Sequence, residues 1–372
     1  MLIETDTTGS VAAFEKLFTS LISKKSTKAL FILACDGNDF TPNKINPILK
    51  DSKIPVFGGI FPQIIHGHDK LEKGTIIAGL NFKPNIAIIP NLSDIDEDYE
   101  EVIDDNIPDL DNIKTMFVFV DGFSKRISAL IDSLFNIFGL EFNYIGGGAG
   151  SLSFEQKPCL FTNEGLITDG ALLVTSEIES GIGVSHGWKK ISGPYKVTES
   201  DRNIIKTLDW KPAFQVYRGI VEDHSKVKLN KSNFFDVAKS YPFGIAKLGA
   251  ESIVRDPFQA GEDNSLICIG EVPEGSFLDI LTGDNSSLIT AARNALITAK
   301  ESCNNTGDKT ILFMDCISRV LYLEDDFKDE LNAIDIENIP MIGALTIGEI
   351  ANSGRDYLEF YNKTAVIGIL EE

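Results

Sequence analysis

The chain has 372 residues, 43% of them hydrophobic and 24% charged, with 55 acidic side chains against 34 basic ones and a net charge of −21. That length is enough for two or three domains with a sizeable core. The acidic balance argues against nucleic acid and anionic membranes as partners, because both are held by a basic face.

The first residues, Met1 to Asp6, are acidic and lack the basic-then-apolar layout of a signal peptide. Residues 11–22 place Phe14, Leu17, Phe18 and Leu21 on one helical face. Ala29 to Ala34 is a short apolar run that predicts a buried strand, ending at Cys35-Asp36-Gly37. Ile54-Pro55-Val56-Phe57 predicts a second strand running into Gly58-Gly59, and two more are expected around Ile76–Ala78 and Ile86–Ile89. Residues 94–111 are dense in Asp and Glu, contain Pro108, and read as a solvated helix or loop.

The same unit then returns. Thr115 to Val120 predicts a strand ending at Asp121-Gly122, and a helix follows with Phe123, Ile127, Leu130, Ile131, Leu134 and Phe138 on one face. Gly139 stands where a helix stop is expected. Tyr144-Ile145 leads into Gly146-Gly147-Gly148-Ala149-Gly150-Ser151. Short strands are expected at 159–161, 170–174 and 181–188, then a helix over 200–220 interrupted at Pro212. The polar run Ser225 to Lys231 suggests a boundary, giving domains 1–222 and 223–372.

The second part opens with strands near 243–245, 252–257 and 265–269, followed by a helix over 285–301 capped by Asp284 or Asn285. A third copy of the unit closes the chain. Its strand is Ile311 to Met314, its helix passes through Phe327, Leu331 and Ile334, and Ile339 to Ile342 runs into Gly343-Ala344. Strand, Asp or Cys-Asp, helix, strand and small-residue turn recur three times. The fold class expected is α/β, or mixed α+β: two pseudo-related domains whose mixed sheets are flanked by helices. The glycine stretches read as strand-end turns that allow close packing, with a pocket wall, at Gly147 and Gly148, as their functional prospect.

The chemistry-bearing motifs narrow the function further. Gly146–Ser151 lacks the third glycine of G-x-G-x-x-G, its continuation meets Pro158, and no Gly-Lys-Ser/Thr is present, so a nucleotide loop is disfavoured. Cys35, Cys159, Cys268, Cys303 and Cys316 are odd in number and scattered, without C-x-x-C, which argues against disulfides and structural zinc. No apolar run approaches the roughly 18 residues of a membrane helix. A reduced, cytoplasmic protein without membrane insertion or metal site is expected. Cys316, Ser318 and Arg319 follow a buried strand, where α/β sheets present ligand groups. A catalytic cysteine would need a positioned histidine, and the sequence places none beside Cys316.

Together these motifs resemble the FIST family of sensory modules, which has N-terminal and C-terminal halves. The matching stretches are Pro55–Gly59, Asn143–Ser151, Val184–Trp188, Val254–Pro257, Asp315–Arg319, Ile347–Ile350 and Tyr361–Thr364. The resemblance implies a non-catalytic sensor in signal transduction that binds a small molecule, with an amino acid as the usual proposal. Its signal would pass to a separate signalling protein, such as a histidine kinase or cyclase. Glu349 is placed to take a ligand ammonium and Arg255 or Arg319 a carboxylate, with Cys316, Ser318 and Asn362 alongside. No cofactor is predicted, but two alternatives stay open: a haem-binding nitric-oxide sensor, and an enzyme centred on Cys316. Gly58-Gly59-Ile60-Phe61-Pro62 departs from the Cys-Ser/Thr-x-x-Gly-Glu-like stretch common in the family's first repeat.

Overall fold

In the computed structural model the described residues are 1–107, 112–247, 252–303, 307–352 and 357–371, so Pro108 of the acidic stretch lies outside them. The three copies of the unit build three six-stranded mixed sheets. In the first, β1 (Ala29–Cys35), α1 (Pro42–Lys50) and β2 (Val56–Phe61) form a parallel pair with its crossover helix. β3 (Gln63–His66) follows, and β4 (Thr75–Leu80) returns antiparallel to β1. In the second, β5 (Thr115–Asp121), α2 (Ile127–Phe138) and β6 (Asn143–Ala149) repeat the pair. They are followed by β7 (Leu160–Thr162) and by β8 (Ala171–Ser176), antiparallel to β5. In the third, β9 (Lys309–Cys316), α3 (Ile317–Leu323), α4 (Phe327–Ala333) and β10 (Met341–Thr346) do the same. β11 (Glu349–Ala351) and β12 (Ala365–Glu371) complete that copy, with β12 antiparallel to β9.

Each copy lends its next strand to a neighbour. β3 of the first copy pairs with β10 of the third, β7 of the second with β2 of the first, and β11 of the third with β6 of the second. The exchange is cyclic and locks the copies into one body. Three of the four sheets take strands from both sides of residue 222, so the two expected halves are interleaved. The first two sheets face each other through Phe31, Phe57, Phe117 and Phe119, whose ring centroids lie 5.0–6.4 Å apart.

The glycines expected in turns lie inside strands instead. Gly58 pairs with Ile32, Gly146 with Val118 and Gly343 with Phe313, at the same register in each parallel pair. A Cβ there would stand 1.9, 1.8 and 2.0 Å from the Ile32, Val118 and Phe313 carbonyl oxygens. The strands approach so closely that only a hydrogen fits between them.

The fourth sheet closes into a barrel. Strand 189–201 pairs at one side with 277–282 and at the other with 204–208, and the strands at 243–245, 253–260 and 266–269 complete the ring. The helix expected over 200–220 is therefore corrected. Residues up to 212 are strands, and the helix is Ala213–Ser225. Arg202, Asp209 and Trp210 have positive φ and turn the chain tightly, while Ile204, Ile205 and Thr207 suit a pleated surface better than a helix.

Candidate functional site

The carboxyl ends of the parallel pairs open toward cavities, as expected for ligand sites on α/β sheets. Counting along the shared register from Ile32, Val118 and Phe313, the equivalent strand-end residues are Cys35, Asp121 and Cys316. Cys35 lines a cavity of 230 Å³. Beyond Asp121, Gly122 and Phe123 line a cleft of 660 Å³, within the range of small-molecule sites. Cys316 lines a chamber of only 30 Å³, together with Ser318, Asp256, Thr346, Gly348 and Asn362. Phe154, Phe258, Ile269 and Ile347 wall both chamber and cleft, so the two adjoin.

A buried charged cluster underlies the chamber. Arg319 is 0% exposed. Its Nε stands 3.0 Å from Asp315 Oδ1, and one Nη pairs with Glu330. Its remaining contacts are the carbonyls of His186, Leu288 and Lys363. Burial alone would pull the guanidinium pKa down, but Glu330 and Asp315 outweigh it and hold the value above the usual one. Lys363 has φ 51°, an uncommon conformation for a lysine. It is held by Asp256 Oδ2 at 3.2 Å, by the Lys239 carbonyl at 3.0 Å and by the Trp188 ring at 5.2 Å. Burial raises the Asp256 pKa, and Lys363 and the nearby Ser318 hydroxyl oppose that rise. Arg255 donates to the carbonyls of Glu271, Val254 and Phe360.

Glu349 lies behind the chamber, fully buried. It accepts from the Thr346 hydroxyl at 2.7 Å and the Thr364 amide at 3.2 Å, with the Cys316 thiol beside it. Burial pushes its carboxyl up to about 8 despite these donors, so the group is largely protonated at neutral pH. Around the chamber the buried cations Arg255, Arg319 and Lys363 stand among the buried acids Asp256, Asp315 and Glu330.

This has a sign for stability. Glu349 keeps its proton in the folded chain while the unfolded chain loses it near 4.5. Its contribution is fully present below that value and is lost as pH rises to about 8. Asp256, Asp315 and Glu330, raised by burial, act in the same direction. Glu349→Gln is therefore expected to flatten part of the fall in urea midpoint between pH 5 and 8. An unchanged slope would refute this protonation state.

The expected site residues thus divide. Cys316, Ser318 and Asn362 meet in the chamber. Glu349 joins it through Thr346 and Cys316, while Arg319 and Arg255 are enclosed by carbonyls and acids and line none of the three cavities. Gly147 and Gly148 lie within β6 against Thr346, Ile347 and Gly348, also away from the cavity linings. Sequence reading missed Asp256, Thr346, Lys363 and Phe154 as site residues. The first and third sit in motifs already singled out, each beside a chosen residue; Phe154 carried no signal beyond its place after the glycines.

Asn362 stands apart from its neighbours. It is 1% exposed, and among the described residues neither Oδ1 nor Nδ2 has a hydrogen-bond partner. The Asp256 Oδ1 atom likewise accepts none. Buried amides are nearly always paired, so an unpaired one in a cavity wall keeps its hydrogen-bonding capacity to offer there. Burial, reinforced by Arg319, lowers the His186 pKa to about 4, and none of the four histidines lines these cavities. Burial also pushes the Cys316 thiol well above its usual range, the opposite of an activated nucleophile.

Comparison with known proteins agrees with this architecture. The FIST N domain matches residues 29–211 and the FIST C domain residues 213–352. An uncharacterized protein of Methanocaldococcus jannaschii is 23% identical over 291 residues, covering 71% of this chain and 55% of that protein. The chain therefore spans about half the length of this relative. With both domain matches covering most of its length, the chain belongs to the FIST family, whose domains are sensory domains associated with signal transduction.

Proposed function

We propose that this protein is a non-catalytic sensor that binds a small polar ligand, of the amino-acid class, with the ligand's head in the Cys316–Asn362 chamber. The observation that carries the reading is the unpartnered Asn362 amide beside Asp256 at the carboxyl end of a parallel strand pair. The output is read by a separate signalling protein, such as a histidine kinase or a cyclase, at the loop following β6. Leu152 and Phe154 on that loop wall the chamber, and Ser151, Glu155 and Lys157 wall the cavity at Cys35, so one segment touches both ligand spaces. Phe154 is 58% exposed and Leu152 39%, which leaves apolar surface for a partner.

A thermal-shift screen with amino acids and small organic acids tests this, because a ligand that binds only the folded chain raises its midpoint. At least one compound is expected to stabilise the protein, with the shift abolished in Asn362→Ala. Stabilising ligands that ignore this substitution would place the site elsewhere.

A further inference from the structure

The chamber's unpaired atoms specify more than a polar ligand. Asn362 presents a carbonyl acceptor and two N–H donors, one of them on the carbonyl's edge, and Asp256 Oδ1 adds a second acceptor. Among the described residues, no lysine or arginine lines the chamber. A carboxylate entering it would meet Asp256 as a like charge and find no free cation. An ammonium would satisfy both acceptors but leave Asn362 Nδ2 unmatched and bring uncompensated charge beside Lys363.

Resting on the sensor reading above, we infer that the ligand's head group is a primary carboxamide. Its NH₂ donates to Asn362 Oδ1 and Asp256 Oδ1, and its carbonyl accepts from Asn362 Nδ2. The match is neutral and adds no buried charge. The pair with Asn362 also survives exchange of its Oδ1 and Nδ2, since an amide edge carries one donor and one acceptor in either orientation. At 30 Å³ the chamber is narrow beside the cleft and suits a small head group. The rest of the ligand must pass Phe154, Phe258, Ile269 and Ile347 into the 660 Å³ cleft, so an apolar or aromatic stem suits it. Gly270 lets the cleft come this close: a Cβ there would stand 3.0 Å from Asn362 Oδ1. Among amino acids, glutamine and asparagine carry the required group on their side chains.

The test uses benzamide, benzoate, benzylamine and N,N-dimethylbenzamide, with L-glutamine against L-glutamate, titrated calorimetrically into the full chain. Benzamide and glutamine are expected to bind about tenfold or more tightly than their acid, amine or dimethyl counterparts. Asn362→Ala is expected to weaken both by a similar factor. Its melting temperature should change little, because among the described residues the side chain has no hydrogen-bond partner to lose. Phe154→Ala should weaken benzamide and spare the preference for amide over acid. Equal or tighter binding of benzoate or benzylamine, or no binding by either amide, overturns the carboxamide assignment. If that tighter binding still depends on Asn362, the chamber remains the sensor site. If no probe and no ligand from the thermal screen responds to Asn362→Ala, the sensor reading of the chamber falls with it.

Discussion

Arg319→Met is expected to lower folding stability by about 3–5 kcal/mol, the scale for removing one partner of a buried ion pair. The guanidinium is enclosed by Asp315 and Glu330, and replacing it leaves both carboxylates buried without a cation between them. Three carbonyls, those of His186, Leu288 and Lys363, also lose a donor. Methionine fills much of the volume, so the loss is chiefly electrostatic and should depend on pH. The stranded acids can escape their cost by taking up protons, which makes the deficit smaller at pH 5 than at pH 8. Urea denaturation at the two pH values measures both effects. A loss below about 1 kcal/mol, the range of exposed pairs, would contradict the burial of this cluster. A deficit independent of pH would assign the cost to the carbonyls instead. Asp315→Asn in the Arg319→Met background should recover part of the stability, because it removes one stranded charge while keeping its shape.

The fold was legible where local pattern and tertiary role agree. Apolar runs such as Ala29–Ala34 and Ile311–Met314 become buried strands, and Asp284 caps its helix through a reciprocal pair with Ser287. It was illegible where the partner is distant in sequence. Nothing local to Gln63–His66 says that it pairs with residues 342–345, and nothing in residues 349–351 points to residues 145–147. The cyclic exchange between copies is a property of packing that no single segment encodes. The hairpin at 200–212 was misread because its turns use Arg202, Asp209 and Trp210 in place of glycine.

The site shows the same division. Cys316 and Ser318 stood out as polar residues after a buried strand and Asn362 through its family motif, and they meet in one chamber. Arg319 stood out for the same reason and lies beneath it, since sequence gives a side chain's neighbourhood but not its direction. Whether a charged residue near a strand end contacts a ligand or holds the scaffold depends on what the other strands bring. Here Glu330, one turn into α4, and the carbonyl of Leu288 enclose the guanidinium. That Asn362 has no partner among the described residues is likewise visible only once the surrounding elements are in place.

Gly146→Ala is expected to cost about 3 kcal/mol or more, at or beyond the upper end for overpacking, and to leave little folded protein. The obstacle is main chain: the added Cβ would lie 1.8 Å from the Val118 oxygen and 2.6 Å from its carbon. No rotamer change can relieve that contact, so β5 and β6 must part. β6 is also held on its other side by β11, which limits any retreat. Gly139→Ala separates this effect from glycine's backbone freedom alone. Gly139 ends α2 at φ 55° with no atom of the described residues within 4 Å of its would-be Cβ, so that substitution should cost less, about 1–2 kcal/mol, from backbone strain. If the three copies share one packing rule, Gly58→Ala and Gly343→Ala should be as damaging as Gly146→Ala, since their clashes fall at 1.9 and 2.0 Å. Chemical denaturation of all four variants decides the matter. A Gly343→Ala protein as stable as the Gly139→Ala control would mean that the third copy keeps its glycine for another reason. In that event the chamber beside β10 is where that reason would be sought, because Thr346 at the end of the same strand lines it.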